Sequence, residues 1–194
     1  MKQLFFDVET KKIFDEVGGH FPDKLGVSFV GTCWREGTTG SGEMKGFFEE
    51  ELDDFFRLAG EADLLIGFNS LGFDLPALSP YYRGDLFKLQ NLDLLDRIKK
   101  KLGHRISLDA VAKETIGRGK SGNGLDAIKY YQAGNRQALA EYCLEDVAIT
   151  RDVYDYGLTK GKIKFRNKWN RLIEAEIDFS FVLQKDLGTQ MSLI

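Results

Sequence analysis

The sequence has few of the residues that build disulfide frameworks, zinc sites or membrane spans. Its 194 residues include two cysteines, Cys33 and Cys143, and two histidines, His20 and His104. Two cysteines exclude a disulfide framework and a four-cysteine zinc site, and two histidines leave little for histidine-based zinc chemistry. No run approaches the roughly 18 uninterrupted apolar residues of a membrane span, and the first residues do not resemble a secretory leader. The composition therefore predicts a cytoplasmic protein without a membrane partner.

An excess of positive charge is also missing, which at first argues against a nucleic-acid binder. The chain has 27 basic and 30 acidic residues and a formal net charge of −3, whereas binding to phosphates needs cations. The average hides two basic segments. Residues 97–120 carry eight basic and two acidic residues, and residues 160–171 carry six basic residues and no acidic one. These segments either contact the phosphates of a nucleic acid or are ordinary solvated faces, and both interpretations stay open at this point.

The hydrophobic pattern indicates a folded α/β protein. Hydrophobic residues make up 43% and aromatic residues 12% of the chain, which is enough to exclude a disordered protein. Strand-like runs come first, then alternate with helical patterns, and the chain becomes helical from residue 96. This order predicts a mixed central β-sheet flanked by helices over residues 1–157.

Residues 158–194 are predicted to form a basic C-terminal appendage that begins as a strand and ends as a loose tail. The single tryptophan of this segment, Trp169, is expected to dock the appendage on the main domain, with stacking on a base as the alternative.

Turn and cap residues set the expected limits of each element. Strands are expected at residues 2–9, 25–34, 62–68 and 89–95, with a weak further strand after a turn at 36–46. Helices are expected at residues 47–60, 73–82, 107–117, 125–133 and 136–156.

Four carboxylates lie at strand ends and on the last helix. Asp7 and Glu9 are two residues apart at the end of the first strand, so both side chains point to one face. Asp74 follows a buried strand and precedes a helix, where an ordinary N-cap is the alternative role. Asp146 lies on the long last helix, four residues after Tyr142 and on the same face. Such an all-oxygen set suits two hard divalent cations, Mg²⁺ or Mn²⁺, which can assist phosphodiester hydrolysis.

Three strings that contain these residues resemble the DEDD group of 3′→5′ exonucleases, in its tyrosine-containing subgroup. The resemblance is closer to the exonuclease domain of family B DNA polymerases. The strings are FFDVET at residues 5–10, GFNSLGFDLPAL at 67–78 and YCLEDVAIT at 142–150. RISLDAVAKETIGRGK at residues 105–120 is similar to the connector that precedes the third motif in that family. The resemblance covers residues 1–157 and implies an RNase H-like fold.

What the resemblance implies for the site can be stated residue by residue. It implies that Asp7, Glu9, Asp74 and Asp146 bind two divalent cations, and that Tyr142 orients the attacking water. Because the ordinary pKa of tyrosine is near 10, a role in positioning water fits Tyr142 better than a role as proton acceptor.

The resemblance further implies that Thr10, Asn69 and Phe73 lie near the 3′-terminal nucleotide. The implied activity is metal-dependent 3′→5′ hydrolysis at single-stranded 3′ ends. An exoribonuclease with the same site is one alternative, because carboxylates do not distinguish the two sugars. An inactive module that binds nucleic acid or a protein partner is the other.

The last five residues are Gln190, Met191, Ser192, Leu193 and Ile194. They resemble the short peptide with which bacterial replication and repair proteins bind the sliding clamp, although Ile stands where Phe is commoner. An extended chain end suits such a peptide because it is accessible. The tail therefore predicts a sliding-clamp partner and favours DNA as substrate, and an apolar tail packed on its own domain is the alternative.

Overall fold

A mixed five-stranded sheet runs through the centre of the protein, whose computed structural model describes residues 1–119, 122 and 124–184. The strands are β1 (Lys2–Thr10), β2 (Val27–Glu36), β3 (Glu43–Phe48), β4 (Leu64–Gly67) and β5 (Asn91–Asp93). Their order across the sheet is β3-β2-β1-β4-β5. The pairs β1–β2 and β2–β3 are antiparallel, and the pairs β1–β4 and β4–β5 are parallel. The longest parallel strand, β1, is therefore the central one.

Helices cover both faces of this sheet. They are α1 (Leu52–Glu61), α2 (Asp74–Leu78), α3 (Leu94–Leu102), α4 (Leu108–Thr115), α5 (Gly124–Gln132) and α6 (Arg136–Lys160). Among the described residues, no helix combines the length and the apolar character needed to cross a membrane.

The side chains of β1 alternate between two apolar layers, as the period of a strand requires. Even-numbered residues such as Phe6 pack with α1 and α2. Odd-numbered residues face the layer that contains α4 and α6. There Phe5 meets Tyr154 of α6 edge to face, with ring centroids 5.5 Å apart. The same period places Asp7 and Glu9 on the side of the sheet that α6 covers.

Helix α6 lies very close to this face of the sheet. Its buried residues recur every three or four positions from Tyr142 to Gly157, which is the period of one helix face. Gly31 of β2 allows the close approach, because a Cβ atom at this position would lie 2.9 Å from the Sγ atom of Cys143. Gly31 pairs with Asp7 in the sheet. The helix therefore contacts the sheet directly beside Asp7.

A β-hairpin follows α6 and is part of the same core. Its strands are β6 (Lys162–Arg166) and β7 (Leu172–Glu176), which pair antiparallel. The Thr115 hydroxyl at the end of α4 donates to the Lys164 carbonyl and accepts from the Lys164 amide, both at 2.9 Å. Phe179, beyond the hairpin, packs in the same apolar cluster as Phe5. The basic segment after residue 157 thus shares the core of the sheet through Phe179.

The helix predicted at residues 47–60 begins only at Leu52, because its first two residues belong to β3. Phe47 and Phe48 pair with β2. The Glu51 carboxylate then accepts a hydrogen bond from the Phe48 amide at 2.9 Å and closes a 3-10 turn. The local helical pattern is overridden by pairing with a distant strand.

The long helix predicted to end at Tyr156 continues to Lys160. Gly157 lies inside it, where a Cβ atom would stand 2.3 Å from the ring of Phe179. This glycine is required for close packing and does not end the helix. The helix ends at Gly161, whose φ of 65° is in the left-handed region.

Trp169 does not dock the hairpin, contrary to the expectation from the sequence. Its side chain is 69% exposed, at the turn between β6 and β7. Ile163 and Phe165 dock the hairpin instead, since both are buried on the inner face of β6.

Candidate active site

The central strand β1 extends beyond its parallel neighbour, and this overhang positions Asp74. The pairing of β1 with β4 ends at Phe5, so later amides on that edge of β1 are available to other acceptors. Asp74 Oδ1 accepts a hydrogen bond from the Val8 amide at 2.9 Å. Because Val8 lies between Asp7 and Glu9, this bond holds Asp74 beside both of them.

Asp7 and Glu9 converge with Cys143 of α6. The carboxylate oxygens and the Cys143 sulfur lie within 4.8 Å of one another, and the thiol is 3.5 Å from the Asp7 carbonyl oxygen. Burial, together with the carboxylates of Asp7, Glu9 and Asp146, raises the pKa of Cys143 well above its usual value. The thiol therefore keeps its proton at neutral pH, and the charged groups of the site are oxygens.

Helix α6 brings Tyr142 and Asp146 to the same place. They are one turn apart and both are buried. The Tyr142 ring packs edge to face with Tyr130 of α5, with centroids 6.4 Å apart, and lies in an apolar cluster with Phe29. Core packing on two sides therefore fixes the position of this ring.

A cavity of about 540 Å³ contains all five residues expected to be catalytic. They are Asp7, Glu9, Asp74, Tyr142 and Asp146. Its apolar walls come from the segment after β1, the turn before α2, and α5, with side chains that include Ile13, Phe14, Phe73, Leu125 and Ile128. A carboxylate cluster beside apolar walls suits a ligand that has both a charged and a flat apolar part.

Asp74 has a strongly perturbed carboxyl group. Its side chain is 2% exposed. Burial raises the pKa of Asp74 well above its usual range, repulsion from Asp7 and Asp93 adds to this, and the hydrogen bond from the Val8 amide opposes it. A cation bound beside Asp74 would favour the charged form.

The donor set fits a hard divalent cation. The four carboxylates converge in one cavity, and three of them, Glu9, Asp74 and Asp146, are buried. Oxygen-only ligand sets of this kind are preferred by Mg²⁺ and Mn²⁺. The residues that would hold the cations are therefore these three together with Asp7.

Two of the three residues expected near a terminal nucleotide line the cavity. Thr10 and Phe73 do so, and Phe73 packs edge to face with Phe14, with ring centroids 6.0 Å apart. Asn69 instead lines a neighbouring cleft, where its Oδ1 accepts a hydrogen bond from Arg105 Nη2 at 2.8 Å. Asn69 has a left-handed φ of 73°, which turns the chain sharply between β4 and Asp74.

Asp93, which was not among the residues predicted from the sequence, holds the loop that leads to Asp74. The buried Asp93 carboxylate accepts hydrogen bonds of 2.8 to 3.3 Å from four backbone amides, those of Asn69, Leu71, Leu95 and Asp96. Burial raises the pKa of Asp93, and these amides oppose the rise. One carboxylate thereby joins the active-site loop to the start of α3.

The same residue shortens the strand expected at 89–95 to Asn91–Asp93. Asp93 is the N-cap of α3, so the helix begins at Leu94. The available signal was an aspartate between an apolar strand and a helical pattern, which is a typical N-cap position.

The model of the RNase_H superfamily matches residues 4–157, which span all three motifs. The chain belongs to the RNase H superfamily. The RNase H-like α/β fold predicted from the motifs is thereby confirmed.

Two solved structures are similar to part of this chain. The family B DNA polymerase of the hyperthermophilic archaeon Pyrobaculum calidifontis is similar over 81% of this chain, with a TM-score of 0.60 and 21% identity. E. coli exonuclease I in complex with a dA16 oligonucleotide is similar over 81% of this chain, with a TM-score of 0.49 and 16% identity. The chain spans 24% of the polymerase and 41% of exonuclease I. No curated protein gives a significant match to the sequence.

Many cations of the two basic segments pair with nearby acids in this RNase H-like fold. Lys113 pairs with Asp109 at 2.7 Å. Lys162 and Lys164 approach Glu174 at 2.6 and 3.2 Å. Much of the basic charge is therefore balanced locally, as on a solvated face.

The predicted clamp-binding peptide, residues 190–194, lies outside the described residues, and so does Lys120 of the basic connector. The sliding-clamp partner stays a prediction.

Proposed function

We propose that this protein is a metal-dependent 3′→5′ exonuclease that hydrolyses phosphodiester bonds at single-stranded 3′ ends, with DNA preferred over RNA. The observation that carries the proposal is the convergence of four carboxylates and a tyrosine in one cavity with apolar walls. Membership of the RNase H superfamily and the three exonuclease-like motifs support it.

The carboxylates define where the scissile phosphate binds. Asp7, Glu9, Asp74 and Asp146 would hold two divalent cations, Mg²⁺ or Mn²⁺, which when bound supply positive charge to the developing anion and to the attacking water. The Val8 amide keeps Asp74 on the β1 side of the cavity. This hydrogen bond is what holds the Asp74 carboxylate beside Asp7 and Glu9 of β1.

Tyr142 orients the water that attacks phosphorus. Its phenol is one helical turn from Asp146 and in the same cavity. A neutral phenol donates and accepts hydrogen bonds but is a poor proton acceptor. Its contribution is thus the placement of the nucleophile.

The apolar walls hold the terminal base. Phe14 and Phe73 lie on one wall, and Leu125 and Ile128 of α5 lie on another. The Phe14 ring is itself stacked on His20 at a centroid distance of 4.2 Å, which limits its movement. A base enclosed by these side chains cannot remain paired, so the cavity selects single-stranded ends.

A cleavage assay tests the proposal. Single strands of DNA and RNA of the same sequence, labelled at the 5′ end, are incubated with Mg²⁺, Mn²⁺ or a chelator. We expect a ladder that shortens from the 3′ end in either metal, faster on DNA. No ladder should form with chelator or with the variant Asp146→Asn. The matched control is Glu141→Gln, which changes an exposed carboxylate on the same helix and should cut normally.

Other outcomes select the alternatives. Faster shortening of RNA would make the protein an exoribonuclease. Binding without shortening of either polymer would make it a binding module. A ladder that persists in Asp146→Asn or in chelator would refute the proposed site.

We also propose that residues 190–194 bind a bacterial sliding clamp, on the sequence pattern alone. Deleting these five residues should abolish binding to a purified clamp in surface plasmon resonance and leave cleavage of free single strands unchanged. Equal binding with and without the peptide, or none with the full chain, would refute this role.

A further inference from the structure

The turn between β6 and β7 holds a tryptophan in solvent. Trp169 is 69% exposed, more than any other aromatic side chain among the described residues. The turn around it is hydrogen bonded: the Asn167 Oδ1 accepts the amides of Trp169 and Arg171, both at 3.0 Å. Asn170 completes the turn with a left-handed φ of 58°. A hydrogen-bonded turn therefore keeps a large apolar ring in water. This exposure costs free energy that burial of the ring against the hairpin would have avoided.

The surface beside Trp169 is basic. A cavity of about 480 Å³ at the hairpin tip is lined by Arg105, Arg166, Lys168 and Trp169 among others, and no acidic residue lines it. The Lys168 ammonium lies 4.5 Å from the centroid of the Trp169 ring. Arg166 pairs with Glu114 at 2.8 Å, so Arg105 and Lys168 are the cations best placed to meet an anion. Aromatic rings flanked by cations are the usual platform for single-stranded nucleic acid.

A series of residues in contact links this surface to the carboxylate cavity. Arg105 lines both the cavity at the hairpin tip and the cleft that contains Asn69, and it donates to Asn69 Oδ1 at 2.8 Å. The Asn69 carbonyl accepts the Phe73 amide at 2.9 Å. Phe73 lines the carboxylate cavity. The path from the carboxylates to Trp169 thus runs over Phe73, Asn69 and Arg105.

We propose that this path carries the single strand upstream of the 3′-terminal nucleotide, with a base stacked on Trp169 and phosphates bound by Arg105 and Lys168. The proposal rests on the proposed exonuclease function, since it names a second contact for the same substrate. A polyanion with flat bases can use the cations and the exposed ring together. This assigns to the segment after residue 157 a role in holding substrate outside the catalytic cavity.

The test compares long and minimal substrates. Binding of a thymidine oligonucleotide of about 16 nucleotides, the upper end of ordinary single-strand site sizes, is measured by fluorescence anisotropy. The Asp146→Asn background keeps the strand intact. We expect Trp169→Ala to weaken binding about 5- to 150-fold, the range for loss of one stacked base. Trp169→Phe should restore most of the affinity, and the matched control Leu172→Ala, on the same hairpin, should change little.

Cleavage of a dinucleotide is the second measurement. Both nucleotides of this substrate lie at the carboxylates, so the Trp169→Ala variant should cleave it as fast as the otherwise unchanged protein does.

The salt dependence of oligonucleotide binding tests the phosphate contact of Lys168. The affinity falls as the salt concentration rises, and Lys168→Gln should make the slope of log affinity against log salt concentration shallower by about 0.7, as expected for one lost phosphate contact.

The two proposals fail in different ways. Normal dinucleotide cleavage with unchanged oligonucleotide binding in Trp169→Ala overturns the strand path and leaves the exonuclease standing. Slower dinucleotide cleavage by Trp169→Ala also overturns it, because the substitution would then act through the fold. If the unchanged protein cleaves neither the dinucleotide nor the oligonucleotide, the proposed exonuclease function itself is wrong.

Discussion

Replacing Asp74 by Asn should stabilise the metal-free protein and weaken its response to divalent cations. Asp74 is buried, and burial and then repulsion from Asp7 and Asp93 raise its pKa. In the native protein the Val8 amide donates a hydrogen bond to Asp74 Oδ1 at 2.9 Å. An asparagine side chain keeps an oxygen that can accept this bond but carries no charge. The same substitution removes one charged ligand from the proposed cation site.

The gain in stability should depend on pH. A carboxyl whose pKa is raised by folding favours the folded state below its unfolded pKa, here near 3.8. That contribution is lost as the pH rises through the folded pKa. Metal-free wild-type protein should therefore lose stability relative to Asp74→Asn as the pH rises above about 4. Each pKa unit crossed corresponds to about 1.4 kcal/mol, or about 3–6 °C in Tm for a chain of this size.

Divalent cations should reverse the order of stability. At a free concentration 100-fold above Kd, one bound cation stabilises the wild type by about 2.7 kcal/mol, which raises Tm by about 5–11 °C. Loss of an outer partner of a metal ligand costs about 10- to 100-fold in affinity, and loss of a ligand should cost at least as much. The variant should then gain about 1.4 kcal/mol or less at the same concentration.

Scanning calorimetry over this pH range, in chelator, MgCl₂ or MnCl₂, measures both effects. Asp53→Asn, which changes an exposed aspartate of α1, is the control and should follow the wild type. A variant that is less stable than the wild type in chelator at neutral pH would contradict the buried charge. Equal Tm shifts on adding metal would contradict the ligand role of Asp74.

Three further substitutions test how the site is held. Gly31→Ala should force α6 away from the sheet, because the new methyl group would lie 2.9 Å from Cys143 Sγ. We expect the free energy of unfolding in urea to fall by about 1–3 kcal/mol and cleavage to slow by up to about 100-fold. Adding Cys143→Ala should partly restore both. Asp93→Ala leaves four backbone amides without their acceptor and should cost about 2–4 kcal/mol, with faster hydrogen exchange at the Asn69 amide. Asp93→Asn, which keeps Oδ1, should cost less. Tyr142→Phe should slow cleavage by up to about 100-fold, while Mg²⁺ should raise its Tm by as much as it raises that of the wild type. If Mg²⁺ no longer raises the Tm of this variant, Tyr142 is part of the metal site instead.

The positions of the carboxylates follow from local periodicity, which is why the sequence predicts them well. Asp7 and Glu9 share a face because they are two residues apart on a strand, and Tyr142 and Asp146 share one because they are a turn apart on a helix. That helices flank the sheet was also predicted, from the order of the strand-like and helical patterns. The structure brings these residues together in one cavity.

What the sequence did not predict depends on contacts between distant segments. Gly157 looked like a helix stop, but its role is set by Phe179, which follows the hairpin. Phe47 fits a helical pattern as well as a strand, and only its pairing with β2 decides between them. Trp169, at the turn after β6, was expected to dock the hairpin, yet Phe165 of β6 is buried there instead. In each case two local structures were nearly equal, and a partner far along the chain determined the outcome.

The parallel pairing of β1 with β4 also bears on how the protein folds. Parallel strands are joined by a long connection, so their contacts are distant in sequence. The hydrogen bond from the Val8 amide to Asp74 lies just beyond the end of that pair. Asp146 lies on α6, far along the chain from β1, and reaches the same place only when α6 packs against the sheet. Contacts of such long sequence separation form slowly. A refolding chain should therefore regain its helical circular dichroism before it regains cation binding, so the site reports completion of the whole fold.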